Sequence, residues 1–496
     1  MNIELIGALD YSKVKKVLTK TIDDDKKINY IIKKIKDIEK ARRSEIVSSA
    51  GRLSRFPGDA KEVLELSESK SNETNNKFIS RVIGLGHKSI SDHDYLVFTI
   101  KNVSAIIEQI IIEERIASFT IKSRREVNFS KSGYYVPDFH YENGKILESN
   151  KELKKQYKNH MNSLFKAYNR LIDNNIKQED ARFILPYCFY SNIIMGVDAH
   201  TLIDMIIKFT KTKYSNITEC KLFGEKLYKI AKDNIPYVTS LIDKVPVKTN
   251  DSVTELLDKK LKKEEYKIVD KVTMTGHSTN IDSQILISAI MRRYQYSYNK
   301  AKKVYNDLCE KDKDFKFELM KKIAFEGDKL ELSQVNFQFQ IPVSYAILTH
   351  FTRHRTHKII VPDFVPNIDL SQYKIPPKIK DDNLILYKRI FDANKKMYEL
   401  FKSKKIRDED LIYFTLSGNM TNMITNMDGW TVRHILELRE CTKAQWETRE
   451  ISNAIHKEIE KIKDTEAFCS ILGPTCVTQR ICNEGKESCG KIKTLI

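Results

Sequence analysis

The sequence predicts an α+β chain that is a tandem duplication of one domain, each copy having a central sheet packed by helices, followed by a Cys-rich C-terminal tail. A strand-like alternation occurs at 94–100 (DYLVFTI) and again at 335–341 (VNFQFQI), and apolar residues occupy every second position of the second stretch. The tetrapeptide VPDF occurs at 136–139 and at 361–364. A long amphipathic helical pattern follows each VPDF, and words that recur in one order indicate a repeat.

The first matching motifs of the two copies are separated by a constant number of residues. A Val-Ser pair follows each strand, and Val343 lies 240 residues after Val103 (343 − 103 = 240). The predicted helices carry apolar stripes, which are Leu153, Tyr157, Met161, Leu164, Tyr168 and Leu171 in the first copy and Tyr387, Ile390, Phe391, Tyr398 and Phe401 in the second. We therefore expect a first copy at 1–245, a linker at 246–265, a second copy at 266–465 and a tail at 466–496.

The two copies differ by one deletion. The offset carries IIEERIAS onto FTRHRTHK, so that Arg115 corresponds to Arg355. Arg115 lies 21 residues before the valine of its VPDF (136 − 115 = 21), whereas Arg355 lies 6 before its own (361 − 355 = 6). The second copy thus lacks 15 residues, and the missing segment contains Ser123, Arg124 and Arg125 of the first.

The composition limits the class of protein. The chain has 496 residues and a formal net charge of +18, which favours anionic partners such as nucleic acid or phosphorylated small molecules. It contains no run of 18 apolar residues and does not open on a charged-then-apolar leader, so we expect a cytoplasmic protein without a membrane span.

A dense cluster of His and Arg, HFTRHRTH, marks the second copy at 350–357. On a helix, His350, His354 and His357 would share a face, as zinc ligands can. Arg353 and Arg355 argue against a cation there, because no carboxylate within the stretch offsets their charge. The triplet Arg353-His354-Arg355 suits a flavin or nucleotide better, since guanidinium groups bind phosphates bidentately.

The first copy has lost this triplet. Glu113 and Glu114 stand at its first two positions, which place negative charge where the second copy is positive. Ser123 and Arg125, together with Arg182 in EDARFILP, could instead bind a different phosphate.

The order of these motifs resembles the flavin-dependent thymidylate synthases. The matching words are GHKSISDH, RIASFTIKSRR and ARFILP in the first copy and RHR and LRECTKAQWETRE in the second. The resemblance covers nearly the whole chain twice, but each copy carries only part of the family pattern. Departures include His350, Tyr413, Asp198, His200 and Phe209.

The resemblance implies roles for nine residues, divided between the copies. In the first copy, Ser123 and Arg125 fall on the loop that binds the dUMP phosphate, and Arg182 on a second substrate-binding arginine. In the second copy, Arg439 matches the arginine that holds and polarises the pyrimidine. Arg439 and Ser123 are the implied catalytic residues, and the implied flavin contacts are Ser89, Arg115, Arg353, His354 and Arg355.

The same resemblance implies an activity. It is the reductive C5-methylation of a pyrimidine nucleotide, dUMP to dTMP, with FAD as cofactor and with methylenetetrahydrofolate and NADPH as co-substrates. Family members are homotetramers whose sites lie between subunits, so we expect two of these two-copy chains to associate as a pseudo-tetramer. A non-catalytic or altered-substrate paralogue and a nucleic-acid-binding or RNA-modifying protein remain as alternatives, although no RNA-binding signature is present.

The Cys-rich tail lies outside the family pattern. Cys469, Cys476, Cys482 and Cys489 crowd the last thirty residues, where clustered thiols suit a zinc or iron-sulfur site. Their spacing is not the paired Cys-x-x-Cys of common zinc sites, so unligated or redox-active thiols stay open.

Overall fold

The computed structural model describes residues 1–7, 10–235, 237–261, 267–365 and 368–494. By its internal contacts the chain forms two compact units. Unit 1 comprises Met1–Gln178, Leu185–Glu265 and Ile385–Thr415, and unit 2 comprises Glu179–Ile184, Tyr266–Leu384 and Leu416–Ile496. Each unit therefore contains a short segment from the other repeat.

Each unit has its own four-stranded antiparallel sheet. The order is β1-β2-β4-β3 in unit 1 and β5-β6-β8-β7 in unit 2, with the two long strands paired in the centre. The predicted strands at 94–100 and 335–341 are confirmed as β2 and β6. The strands are β1 Asn2–Leu5, β2 Tyr95–Ser104, β3 Ser118–Ile121, β4 Tyr190–Asp198, β5 Thr273–His277, β6 Asn336–Ser344, β7 Lys358–Ile360 and β8 Met420–Asp428.

Helices surround both sheets. Those of the first repeat and the segment after it are α1 Tyr11–Leu18, α2 Asp25–Leu53, α3 Ala60–Glu68, α4 Asn72–Gly84, α5 Ala105–Ile112, α6 Asn150–Asp173, α7 Gln178–Ala181, α8 Ala199–Lys211, α9 Thr218–Asn234, α10 Thr239–Ile242 and α11 Ser252–Asp258. Those of the second repeat and the tail are α12 Ile281–Tyr294, α13 Tyr298–Lys311, α14 Phe315–Lys321, α15 Tyr345–Thr352, α16 Asp381–Lys402, α17 Asp408–Leu411, α18 Gly429–Arg439, α19 Trp446–Ile459, α20 Glu466–Cys469 and α21 Thr475–Thr478.

Both long amphipathic helices that the sequence predicts are present, as α6 and α16. Every residue of the two predicted apolar stripes is buried. In unit 1 the helices are joined by a hydrogen bond between His160 Nε2 and Asn394 Oδ1 at 2.9 Å, and Asn394 Nδ2 donates to the Phe414 carbonyl at 2.6 Å. Burying a polar pair that bonds itself and the backbone costs little and fixes the helix register.

The deletion that separates the repeats can be placed on the fold. β3 and β7 each begin three residues after Arg115 and Arg355, respectively, so both repeats keep the edge strand. VPDF follows directly after β7, whereas a loop at 122–135 precedes it in the first repeat. The second repeat has therefore lost the loop and kept the strand.

Part of the predicted linker at 246–265 is ordered as α11, and its residues 262–265 lie outside the described residues. Among the described residues, no helix is long and apolar enough to cross a membrane.

Candidate functional site

The Arg-His-Arg triplet of unit 2 follows a helix that is buried on every side. All eight residues of α15 are buried, because its sequence YAILTHFT is apolar around the whole helix. The helix ends at Thr352, so the helical arrangement of three histidines considered from the sequence is wrong. Arg353 and Arg355 lie exposed in the turn beyond it, while His354 is buried.

Arg439, the last residue of α18, is held against this turn. Its Nε donates to His354 Nε2 at 3.1 Å, and its Nη2 donates to the His350 carbonyl at 3.2 Å. Burial, and then the charge of Arg439, lower the pKa of His354 to about 2, so the imidazole is neutral. A guanidinium at a helix C-terminus also complements the helix dipole. The structure thus brings together Arg439 and His354 of the predicted site.

A second set of contacts fixes α15 from the N-terminus of α19. His350 Nδ1 lies 3.0 Å from the Thr448 hydroxyl, and Gln445 caps α19 by accepting from the Glu447 and Thr448 N–H groups at 2.8 and 3.2 Å. The buried Glu447 carboxylate accepts from the Ser344 N–H at 2.9 Å and from the Ser344 hydroxyl at 2.7 Å. Burial raises the pKa of the Glu447 carboxyl, and the hydrogen bonds from Ser344 oppose this rise.

Arg182 lies in unit 2 although it belongs to the first repeat. The short helical turn Arg182–Ile184 and the residues before it pack on the N-terminus of α19. Trp446 Nε1 donates to Asp180 Oδ1 at 2.9 Å, and the Trp446 ring stacks on Phe183 with centroids 5.8 Å apart. Arg182 is 2% exposed, and its charge acts on the Glu447 carboxyl. Arg182 therefore shares a unit with Arg353, His354, Arg355 and Arg439.

The nucleotide loop of the first repeat lies in unit 1. Ser123 and Arg125 are both partly exposed, and the Arg125 N–H donates to the Ser123 hydroxyl at 3.3 Å. Between them, Arg124 is buried and donates to Glu108 at 2.7 Å, and Glu108 also accepts from the Ser191 hydroxyl. The buried ion pair between Arg124 and Glu108 holds the loop in place, while the residues on either side of Arg124, Ser123 and Arg125, stay partly exposed.

Two further predicted residues also lie in unit 1. Ser89 is exposed on the short helix Lys88–His93, and Arg115 Nη2 donates to the Ile112 carbonyl at 3.0 Å.

The lost triplet of the first repeat makes contacts within its own unit. Gln109 donates to Glu113 at 3.0 Å, and Lys208 pairs with Glu114 at 3.0 Å. The two carboxylates are thus held by internal partners, which fits the expectation that this repeat does not bind the anion of the second repeat.

Sequence reasoning missed the structural counterpart of Glu447 in unit 1. Glu219, at the start of α9, accepts from the Ser104 N–H at 2.8 Å and from the Tyr413 hydroxyl at 3.0 Å. Burial raises the pKa of Glu219 to about 7, although the hydrogen bonds from Ser104 and Tyr413 oppose this rise. Ser104 belongs to the repeated Val-Ser pair, which was the available signal. The flanking elements β4 and β8 begin 230 residues apart (420 − 190 = 230), so Ile412 stands at the position of Arg182, and Tyr413, noted above as a departure from the family pattern, corresponds to Phe183. Arg182 and Tyr413 nevertheless each lie near the buried glutamate of their own unit.

The C-terminal cysteines fall into two places within unit 2. Cys469 ends α20, where Thr465 and the charge of Asp282 act on its thiol. Cys476, Cys482 and Cys489 instead line one cavity, and Cys441 lines it with them. Sequence reasoning did not consider Cys441, which is remote from the tail.

Comparison with known proteins agrees with the repeat. The family model described as "Thymidylate synthase complementing protein" matches twice, over residues 38–237 and 277–463. A flavin-dependent thymidylate synthase of Geobacter sulfurreducens is 30% identical over 141 residues, covering 28% of this chain and 58% of that protein. One of Clostridium tetani is 28% identical over 186 residues, covering 33% of this chain and 73% of that protein.

The chain spans 58% of the Geobacter protein and 50% of a further relative from Pyrococcus abyssi, which is 30% identical over 128 residues. A solved structure of the UMP/dUMP methylase PolB from Streptomyces cacaoi bound with 5-Br dUMP has a TM-score of 0.34 and 19% identity, covering 41% of this chain and 91% of its own. Because the family model matches both repeats over most of their length, this chain belongs to the thymidylate synthase complementing protein family.

Proposed function

We propose that this protein catalyses the reductive C5-methylation of a pyrimidine nucleotide, dUMP to dTMP, with FAD as cofactor. Methylenetetrahydrofolate is the proposed carbon donor and NADPH the proposed reductant. The observation that carries the proposal is the position of Arg439, whose guanidinium is fixed by the neutral imidazole of His354 and the carbonyl of His350. Family membership and the names of the relatives support the same reaction class.

The residues of unit 2 fit a flavin nucleotide. Arg353 and Arg355 are exposed on either side of the buried His354, which places two guanidinium groups on the solvent side of one turn. Such groups bind a pyrophosphate through paired hydrogen bonds. The neutral His354 side chain adds no charge, so it can meet an aromatic ring system without the cost of burying an ion. When bound and reduced, FAD would supply a hydride to the pyrimidine.

In this proposal the protein activates the pyrimidine by electrostatics. Arg439 would lie near a ring carbonyl or N3 and stabilise the negative charge that develops on the ring. Its two hydrogen bonds hold it in place before the substrate arrives, so that little reorganisation is needed. Ser123, Arg125 and Arg182 would anchor the nucleotide, with Ser123 also close to the reacting part of the substrate.

We further propose that two chains associate to build each complete site. Support comes from the division of motifs, since the first repeat keeps the Ser123 and Arg125 loop and the second keeps the Arg-His-Arg triplet. Further support is that residues 179–184 of the first repeat pack within unit 2. Light scattering coupled to gel filtration should give a dimer, and a strict monomer that is fully active would contradict the assembly.

The decisive experiment for the activity uses colour and turnover together. Purified protein should be yellow, its flavin spectrum should change when dUMP is added, and dTMP should form with methylenetetrahydrofolate and NADPH. Flavin binding without any dTMP would favour a non-catalytic or altered-substrate paralogue and would refute the proposed activity. Colourless protein that retains nucleic acid with a steep salt dependence would favour an RNA-directed role instead.

A further inference from the structure

Four cysteines from distant parts of the sequence line a single cavity in unit 2. The cavity has a volume of about 500 Å³ and is bordered by Cys441, Cys476, Cys482 and Cys489. Cys441 lies two residues beyond the end of α18, and the other three lie in the tail, after the residues that match the family model. All four are free thiols. The family resemblance therefore does not account for this cluster.

The tail segment around the cavity has almost no apolar core of its own. All residues from 474 to 492 are described, and none of them is buried. Its large apolar side chains, Val477 and Ile481, are 52% and 54% exposed. A short segment that cannot bury apolar surface needs a covalent or metal cross-link to hold one conformation. The thiols are the groups in this segment that can provide it.

Charged side chains of both signs surround the four sulfurs. Lys443, Arg449 and Lys491 line the cavity, and so do Glu437, Glu440 and Glu484. Because these fixed charges balance, a divalent cation in the cavity would be neutralised chiefly by thiolates, the form of cysteine that binds metal ions.

We propose that Cys441, Cys476, Cys482 and Cys489 bind one Zn²⁺ ion, which fastens the tail to the C-terminal end of α18. Four thiolates at the usual Zn–S bond length lie about 3.8 Å apart. Among the described residues, no three cysteine sulfurs yet lie within 4.8 Å of one another. Closure therefore requires side-chain rotation and a small inward shift of the exposed tail, for which the cavity leaves room.

The position of Cys441 gives the metal a consequence for the active site. Arg439 is two residues before Cys441, so a metal ligand would fix the end of the helix that presents this arginine. This consequence rests on the proposed function, whereas the metal site itself does not. Metal content is therefore the primary measurement, and turnover is the secondary one.

The test measures zinc in the full chain, purified under reducing conditions, by elemental analysis. We expect about one zinc per chain in the native protein and in Cys469→Ser, and almost none in Cys441→Ser or Cys476→Ser. Cys469→Ser is the matched control, because Cys469 is a tail cysteine whose thiol lies outside the cavity. Cys489→His should keep the metal, since imidazole is also a zinc ligand.

A second measurement uses only the native protein, so it remains decisive if a cysteine variant fails to fold. Native protein stripped with a chelator should take up about one Co²⁺ per chain with the strong visible absorption of a tetrahedral thiolate site. Native protein that is metal-free and takes up no Co²⁺ would overturn the proposal. Zinc retained in Cys441→Ser, an iron-sulfur chromophore, or two disulfides in peptide maps of unreduced protein would overturn it as well. If the variants lose zinc but keep normal turnover, the proposed effect of the metal on Arg439 is wrong, while the metal site itself stands.

Discussion

Replacing Arg439 with alanine gives the sharpest test of the proposed active site. The change removes a charged donor from His354 Nε2 and another from the His350 carbonyl. If the guanidinium stabilises charge that develops on the pyrimidine, its loss should lower kcat by about 10²- to 10³-fold, as the loss of one such donor does in other enzymes. Flavin absorbance should remain, because Arg353 and Arg355 are unchanged.

The structural cost of this substitution should be moderate. Two partly buried acceptors lose a donor, which costs about 1–3 kcal/mol, and a unit of this size would lose roughly 2–4 °C in Tm for each kcal/mol. Steady-state kinetics, flavin spectra and thermal melts should be measured on the same preparations. Arg439→Lys separates charge from geometry, because lysine keeps the charge but not the paired donors.

Arg292 offers a matched control in the same unit. Its guanidinium is on the surface, where it pairs with Asp328 and Glu331, and it is remote in sequence from the proposed site. Arg292→Ala should keep native turnover. Arg439 does not have the proposed role if Arg439→Ala keeps kcat within a few-fold of native, or if its loss of activity simply parallels a loss of bound flavin or of folded protein.

Three further predictions concern other residues of the two units. Arg125→Ala should raise KM for dUMP with little change in Tm. Arg124→Ala should instead cost about 3–5 kcal/mol of stability, because it leaves the buried carboxylate of Glu108 without its ion-pair partner. Equal effects of the two variants on KM and Tm would contradict these separate roles in binding and in stability. The pKa of Glu219 is raised from 4.5 to about 7 in the folded state, so its contribution to stability is full below pH 4.5 and is lost as pH rises to 7, by about 3 kcal/mol. Urea midpoints between pH 4.5 and 8 should therefore fall more in the native protein than in Glu219→Gln, and parallel curves would refute the assignment. Trp446→Phe removes the donor to Asp180 but keeps an aromatic ring that can stack on Phe183. Stability should therefore drop by about 1–3 kcal/mol, and KM for dUMP should rise. A lower Tm with a native KM would show that this contact does not position the nucleotide site.

The sequence predicted the strands and long helices well because their periodicities are strong. Alternation places Phe337, Phe339 and Ile341 on one buried face of β6, and a stripe such as that of α6 can only face a core. The histidine cluster was harder, because helical spacing continues past Thr352 in the sequence while the chain does not continue as a helix. A helix end set by tertiary packing leaves no clear mark in the residues themselves.

The distribution of segments between the units could not be read from the sequence. Contiguous repeats suggest contiguous domains, yet Asp180 and Phe183 bind Trp446 in unit 2, and Tyr413 binds Glu219 in unit 1. These contacts join residues more than 190 positions apart, and no local pattern reports on such pairs. The clustering of Cys441 with the tail cysteines was missed for the same reason, because only the fold brings it to them.

The exchanged segments give a physical reason for the divergence of the repeats. When identical subunits assemble, every copy must keep each residue that any site requires. After fusion, the segments around position 182 and its counterpart 412 meet different buried glutamates, Glu447 and Glu219, and can be selected separately. Arginine remains where a substrate arginine is proposed, in the unit that holds Arg439. Ile412 replaces it in the other unit, where the next residue, Tyr413, donates to Glu219, since a phenol can bond to that carboxyl without burying a second charge. The chain can thus lose one set of catalytic groups while the same fold persists in both units.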